Sequence, residues 1–180
     1  HLIENRGWRG PAARTVATTH LLDRICDYHD LRLHETPVGF KYIGQQLLNN
    51  NCILGGEESG GLSIRGHIPE KDGILACLLI IEMVGQSEKT LGQLMEELYQ
   101  KYGKLVSERL DLQVAGDNKA AVLKALKGYS PVKINGQAVV GRVVVDGTKL
   151  KLSNGCWVLI RPSGTEPLIR IYTEAGSAQE

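Results

Sequence analysis

The sequence predicts an α/β chain in two parts. The first is a three-layer domain with a mixed, mostly parallel sheet, and the second is a smaller α+β domain with an antiparallel sheet. Two patterns and one bulk property lead there. Strand-like and helix-like segments alternate from residue 14 to about residue 87, the pattern of repeated βα units. Beyond residue 130, short alternating strands are separated by Asp146-Gly147 and Ser153-Asn154-Gly155, which are hairpin signals. The 180 residues are 42% hydrophobic, enough for one large core or two small ones and too apolar for disorder.

Each element has its own reason. "RTVATT" (14–19) is short and β-branched, a strand by composition. Thr18 or Thr19 then caps a helix over 20–30, with Leu21, Leu22, Ile25 and Cys26 on one face. "LRLHETP" alternates and reads as a half-buried strand. "GFKYIGQQLLNNN" is a helix with Phe40, Ile43 and Leu47 on one side. "CILGGEES" is a strand that runs into a glycine-rich loop. "GILACLLIIEMVG" is apolar, contains Glu82 and is too short to span a bilayer, so it is expected to be a buried helix. Thr90 and Gln93 form a capping-box pattern ahead of a stripe of Leu91, Leu94, Met95 and Leu98. In the second half, "LVSERLDLQV" is a strand and "DNKAAVLKALKGY" a helix; strands "VVGRVVV", "TKLKL", "CWVLIRP" and "LIRIYTEA" follow. The boundaries expected are 1–88 for the first domain, 89–103 for a connecting helix and 104–180 for the second domain.

Charge and cysteine usage narrow the function. A net charge of +1 gives no global field for nucleic acid or an anionic membrane, so any anion site must be local. Cys26, Cys52, Cys77 and Cys156 form no CxxC or zinc spacing. Cys26 and Cys77 lie in apolar helical patterns, where free cysteines pack as small hydrophobes, and a reducing cytoplasm is expected.

Three loops carry chemistry. In "GGEESGGLSIRGHIPEKDG", Glu57, Glu58 and Ser59 stand between glycine pairs at a strand's carboxyl end, with Arg65, His67 and Lys71 nearby. Carboxylates and a hydroxyl suit sugar hydroxyls; a solvated turn with ordinary charges would use the same residues. In "TPVGFKYI", Pro37 and Gly39 turn the chain and Lys41 opens a helix whose first amides favour an anion. In "RPSGTEPLIRIYTEA", Ser163 and Thr165 offer hydroxyls, Gly164 exposes backbone N–H, and Arg161 and Arg170 offer planar forks. That set matches a phosphate, which has several acceptor oxygens and two charges. The order GxxxxGK[ST] of a nucleotide P-loop is absent.

"GGEESGG", "GHIPEKDG" and "RPSGTEPLIRIYTEA", with "TPVGFKYI", resemble the α-D-phosphohexomutases, the phosphoglucomutase and phosphomannomutase superfamily, over nearly the whole chain. Family members have four domains, and the resemblance places this chain at most of the third plus the fourth. It implies sugar recognition by Glu57 and Ser59, with Lys41, His67 and Lys71 lining the cleft. It implies phosphate binding by Arg161, Ser163, Gly164, Thr165 and Arg170. The family moves phosphate between the 1- and 6-positions of a hexose through a phosphoserine, a bisphosphate intermediate and magnesium. Its serine segment and its Asp-rich metal loop have no counterpart here, and the sequence opens at His1 without methionine. The expectation is therefore a carboxyl-terminal piece of a cytoplasmic isomerase, a phosphosugar its substrate and domains 1 and 2 its partners. Nucleic acid and membrane are not expected partners. On this reading Mg²⁺ and a hexose bisphosphate activator serve the full-length enzyme and none is bound by this fragment, which is inactive alone. A free-standing phosphosugar-binding module, or a structural or regulatory domain, is the competing reading. The form Glu57-Glu58-Ser59 leans toward glucose.

Overall fold

The computed structural model describes residues 1–114, 116–164 and 166–177, with the side chains of 116–120 and 123 outside that set. Two compact units are present, His1–Lys104 and Leu105–Glu180. In the first unit, β1 (Ala12–Thr15), α1 (Leu21–Tyr28), β2 (Leu33–Thr36), α2 (Phe40–Asn49) and β3 (Leu54–Gly56) follow as predicted βα repeats. β4 (Leu62–Ile64), α3 (Gly73–Ser87) and α4 (Leu91–Tyr102) complete it. The sheet order is β2-β1-β3-β4. β1 pairs parallel with β2 and β3, and β4 returns antiparallel on β3. This is the mixed, mostly parallel sheet the sequence predicts. β4 itself lies inside what the sequence reading treats as one long loop, because three residues are too few to show alternation.

β1 is the centre of this sheet, and all four of its residues are buried. Ala13, Phe40, Ile43, Leu47 and Cys52 form a core cluster beside it. Gly55 belongs to that packing rather than to the ligand loop. A Cβ there would lie 2.4 Å from Ile43 Cγ2, so only glycine lets α2 sit this close to β3. Arg14 is the unexpected core member, 2% exposed. Its Nε and Nη2 bind both oxygens of Asp23 at 2.6 and 2.7 Å, and Nη1 reaches Glu35 at 2.7 Å. The charge is paired on both sides, which is how a buried guanidinium is tolerated. Burial works against the charged forms of Arg14 and Asp23, but their mutual bonding outweighs it: Arg14 is raised and Asp23 lowered.

The expected threonine cap of α1 is corrected: the N-cap is His20, which makes no side-chain cap bond, while Thr19 Oγ1, one residue earlier, accepts from Leu21 N at 3.0 Å. Thr90 and Gln93 make the predicted capping box. Asp72 caps α3 by accepting from Ile74 N at 2.9 Å and Leu75 N at 3.1 Å.

Three packing expectations are overturned. α3 contains no buried residue. Ile74, Leu78 and Ile81 are 75%, 58% and 66% exposed, and Cys77 shares their face and is exposed rather than packed. Leu75, Leu79 and Met83 are half-buried, Leu79 and Met83 lining a cavity with Leu22, Ile25 and Ile53, and nothing among the described residues covers the face of Ile74, Leu78 and Ile81. An all-round apolar run has no polar face to show which side is outer. On α4, Leu91 and Met95 are exposed and only Leu94 and Leu98 of the stripe turn inward. The carboxyl end of α4 is tied down instead by polar contacts. Tyr102 OH donates to Glu4 at 2.7 Å and meets His29 Nε2 at 2.8 Å, and Lys101 also binds Glu4. Those two hydrogen bonds, Lys101's the larger, pull the Glu4 carboxyl down to about 2.

The second unit has β5 (Val106–Gln113), α5 (Gly116–Gly128) and five further strands: β6 (Lys133–Ile134), β7 (Gln137–Val143), β8 (Thr148–Leu152), β9 (Trp157–Pro162) and β10 (Leu168–Ala175). They form one sheet in the order β5-β10-β9-β8-β7-β6, antiparallel throughout. Asn135-Gly136, both with positive φ, makes an additional hairpin that the sequence reading did not single out. Trp157 anchors the buried face: Lys149 Nζ lies 4.0 Å from its ring centroid, and its Nε1 donates to Glu174 Oε1 at 2.7 Å.

Candidate functional site

Two loops, one in each unit, hold most of the residues singled out from the sequence. In the first unit, β2, β1 and β3 are parallel neighbours, so their carboxyl ends emerge side by side. This is the edge at which open α/β sheets place ligands. Glu57, Glu58 and Ser59 form the β3–β4 turn, closed by Gly60 N donating to Glu57 O at 3.0 Å and Glu57 N to Gly61 O at 2.9 Å. Glu57 Oε1 accepts from Gly39 N at 3.1 Å. That contact joins the turn to the "TPVGFKYI" segment. It also means that the anion at this residue, the N-cap of α2, is Glu57 itself.

Glu57 sits in a tuned environment. Partial burial raises its carboxyl first of all and Glu58 adds to the rise, while Lys71 and the Gly39 amide oppose it. The Lys71 stem lies against Gly61, where a Cβ would meet it at 3.1 Å. Glu58 is fixed separately: Thr15 Oγ1 donates to its Oε2 at 3.2 Å and contacts Thr18 Oγ1 at 2.8 Å. Thr15 and Thr18 are buried supports; the sequence reading assigned Thr15 no role and Thr18 only that of a helix cap, although hydroxyls at the end of the central strand were the available signal. Ser59 is exposed at the tip of the turn. Lys41 is exposed, with Nζ 4.8 Å from the Tyr42 ring. His67 Nε2 lies 2.9 Å from Asp72 Oδ2, so its imidazole is engaged with the cap of α3.

In the second unit the donors are built into the sheet. Arg161 on β9 and Arg170 on β10 are directly opposite across an antiparallel pair, and Asp111 on β5 is opposite Arg170. Opposed like charges destabilise a sheet unless something compensates them. Part of the compensation is visible. Arg161 Nη2 pairs with Asp146 Oδ2 at 3.0 Å, Arg170 Nη2 with Glu166, and Arg170 Nε lies 3.9 Å from Asp111. Arg161 is only 8% exposed. Among the described residues the buried Nε of each arginine has no hydrogen-bond partner. A buried N–H without a hydrogen-bond partner is costly, so each of these groups is a donor in want of an acceptor. Ser163, also buried, helps shape the turn, its N donating to Leu168 O at 2.9 Å and its Oγ accepting from Glu166 N at 3.2 Å. Gly164 is exposed, and Thr165 lies outside the described residues. Asp111 and Asp146 were missed as site members, since an alternating strand and an Asp-Gly turn account for them in sequence. Among the described residues no group of three or more His, Cys, Asp or Glu could hold a metal ion. No helix among them is long and apolar enough to cross a membrane.

The first unit is thus an α/β domain with an acidic turn at its strand ends, and the second an antiparallel sheet with a cross-strand arginine pair. Similarity to known proteins assigns both units to one family. Residues 1–102 match "Phosphoglucomutase/phosphomannomutase, alpha/beta/alpha domain III" and residues 111–180 match "Phosphoglucomutase/phosphomannomutase, C-terminal domain". The chain belongs to the phosphoglucomutase/phosphomannomutase family. A phosphoglucomutase/phosphomannomutase from Thermococcus kodakarensis is 38% identical, over 99% of this chain and 36% of that protein. A phosphoglucosamine mutase from Methanocaldococcus jannaschii is 33% identical, over 97% of this chain and 37% of that protein. The crystal structure of a candidate phosphomannomutase from Thermus thermophilus matches at 35% identity with a TM-score of 0.76, over 97% of this chain and 34% of that one. The chain thus spans about a third of the length of the relatives it matches.

Proposed function

We propose that this chain is the sugar- and phosphate-recognising part of a phosphohexomutase, an isomerase that interconverts hexose 1-phosphate and hexose 6-phosphate through a phosphoserine and a hexose bisphosphate intermediate. Glu57 and Ser59 receive the sugar hydroxyls, with Lys41, His67 and Lys71 around them. Arg161, Ser163, Gly164, Thr165 and Arg170 receive the phosphate that is not being transferred. The single observation that carries this reading is the cross-strand arginine pair, whose two buried Nε–H groups have no hydrogen-bond partner among the described residues. A phosphate accepts from both forks at once, whereas a neutral hexose leaves the like charges opposed.

The chemical step needs a phosphorylated serine and a magnesium ion. On this reading the serine and the metal loop belong to domains 1 and 2 of the whole protein, and no part of the transfer is proposed for this chain. Its task is to bind and orient. A grip on phosphate that ignores which carbon bears it also suits an intermediate that must turn over and rebind. The relatives' names include glucose, mannose and glucosamine phosphates. The Glu57-Glu58-Ser59 form supports a lean toward glucose. The competing reading, a free-standing phosphosugar-binding module, uses the same residues without catalysis.

The test is calorimetric. The 180-residue chain is expected to bind glucose 6-phosphate and to show no mutase turnover with magnesium and glucose 1,6-bisphosphate. Arg161→Ala is expected to weaken binding about tenfold or more, the loss of one charge-assisted hydrogen bond of ~1.5–3 kcal/mol. Arg161→Lys recovers part of this, because an ammonium lacks the planar fork. Equal affinity of Arg161→Ala and the parent chain overturns the reading.

A further inference from the structure

We propose that Asp146 is a positioning residue for anion binding: its carboxylate holds Arg161 by Nη2 and so sets the fork that the phosphate meets. This rests on the phosphate reading of Arg161 above. In sequence, Asp146-Gly147 is only a hairpin turn, and no role in binding attaches to it.

The geometry makes it more than a turn. Across the sheet, Asp111, Arg170 and Arg161 are lateral neighbours on β5, β10 and β9, and the Asp146-Gly147 turn between β7 and β8 stands next to Arg161. The row therefore reads acid, base, base, acid. Asp146 reaches its place because Gly147 lies directly on β9. Gly147 has φ +105, and a Cβ there would fall 2.4 Å from Ile160 O and 2.6 Å from Arg161 Cβ. No other residue type fits both that backbone and that approach. The turn is thus packed against the very residue whose side chain Asp146 holds, with Nη2 to Oδ2 at 3.0 Å.

The energetic case is equally direct. Arg161 is nearly buried and faces a second arginine. Without a counter-charge in the unliganded protein, such a guanidinium would rotate toward water and lose its aim. Asp146 occupies one nitrogen and leaves Nε unpartnered. Pre-orientation of this kind reduces the ordering cost that a ligand otherwise meets on binding. A carboxylate so close to an anion site could instead act as a screen that competes with phosphate. The two roles differ in sign: a screen weakens binding, and its removal tightens it.

The experiment measures glucose 6-phosphate and inorganic phosphate affinity, with melting temperature, for the parent chain, Arg161→Ala, Asp146→Asn and Asp146→Glu. Asn removes the charge; Glu keeps the charge and moves it by one methylene. If Asp146 positions Arg161, both variants bind about fivefold more weakly or worse, the scale of one misplaced charge-assisted contact. If it screens, Asp146→Asn binds as tightly as the parent or more so and Asp146→Glu matches the parent, and the proposal is overturned. If only one variant folds, that variant decides by the same rule. If neither folds, Asp146 is a stability residue of the hairpin and the positioning role falls. Failure of the underlying reading looks different: the parent chain does not bind, or Arg161→Ala binds as well as the parent, and the inference falls with it.

Discussion

The β3–β4 turn and the β9–β10 segment are both polar, glycine-containing and functional in outlook, yet they are built in opposite ways. The first is an acceptor site on a hairpin tip. Its carboxylates are held from outside, Glu57 by the Gly39 amide and Glu58 by the Thr15 hydroxyl. The second is a donor site on the sheet itself. Its arginines are fixed by strand register and held at Nη2 by carboxylates of flanking turns, with no hydrogen-bond partner for either Nε among the described residues. A site for sugar hydroxyls, which donate and accept, tolerates a turn steadied by its neighbours. A site for a doubly charged anion needs opposed cations, and only a rigid ladder holds like charges together.

The comparison breaks most readily at its scaffolds. In unit one the weak point is the buried charge brace on β1: Asp23→Ala, which strips Arg14 of its bidentate partner, should cost the unit on the order of 3 kcal/mol. The chain has two tryptophans, Trp8 in unit one and Trp157 in unit two, so urea unfolding followed by fluorescence of single-tryptophan variants reports each unit separately. An unchanged midpoint at Trp8 would show the brace to be dispensable. In unit two the corresponding weak point is close packing rather than charge. Gly147→Ala should destabilise by about 1–3 kcal/mol, read at Trp157, because it combines overpacking with a left-handed backbone.

The smallest effect concerns Glu57 and has a defined sign. Burial raises its carboxyl, so the folded state holds the proton more tightly than the unfolded chain does. Its contribution to stability is greatest at acid pH and is lost as pH rises through the folded-state titration. Glu57→Gln removes that penalty. The melting temperature of the variant should rise slightly at pH 7 and match the parent below the ordinary carboxylate range. A fall at pH 7 would mean that Glu57 stabilises the turn as an anion.

Legibility in the sequence followed the same division. Periodicity and turn chemistry revealed the βα repeats and the four longer hairpin strands, because each is a local pattern. β4 was invisible at three residues. The outer face of α3 could not be read because Ile74, Leu78 and Ile81 look no different from Leu79 and Met83 in an all-apolar run. The Glu57-Glu58-Ser59 turn and the arginine segment stood out as acceptor and donor clusters. What remained hidden was contact across the fold. Thr15 under Glu58, Gly39 on Glu57 and Asp146 on Arg161 are separated in sequence by 43, 18 and 15 positions, and only strand register brings them together.

The central claim is that the arginine pair is waiting for phosphate, and the most direct measurement watches those two side chains. In ¹⁵N-labelled protein, the Nε–H resonances of Arg161 and Arg170 and the backbone amide of Gly164 are followed during titration with glucose 6-phosphate and, separately, with glucose. The account predicts saturable shifts of all three with glucose 6-phosphate and none with glucose. Resonances that stay still at millimolar glucose 6-phosphate, or that move equally with glucose, would contradict it.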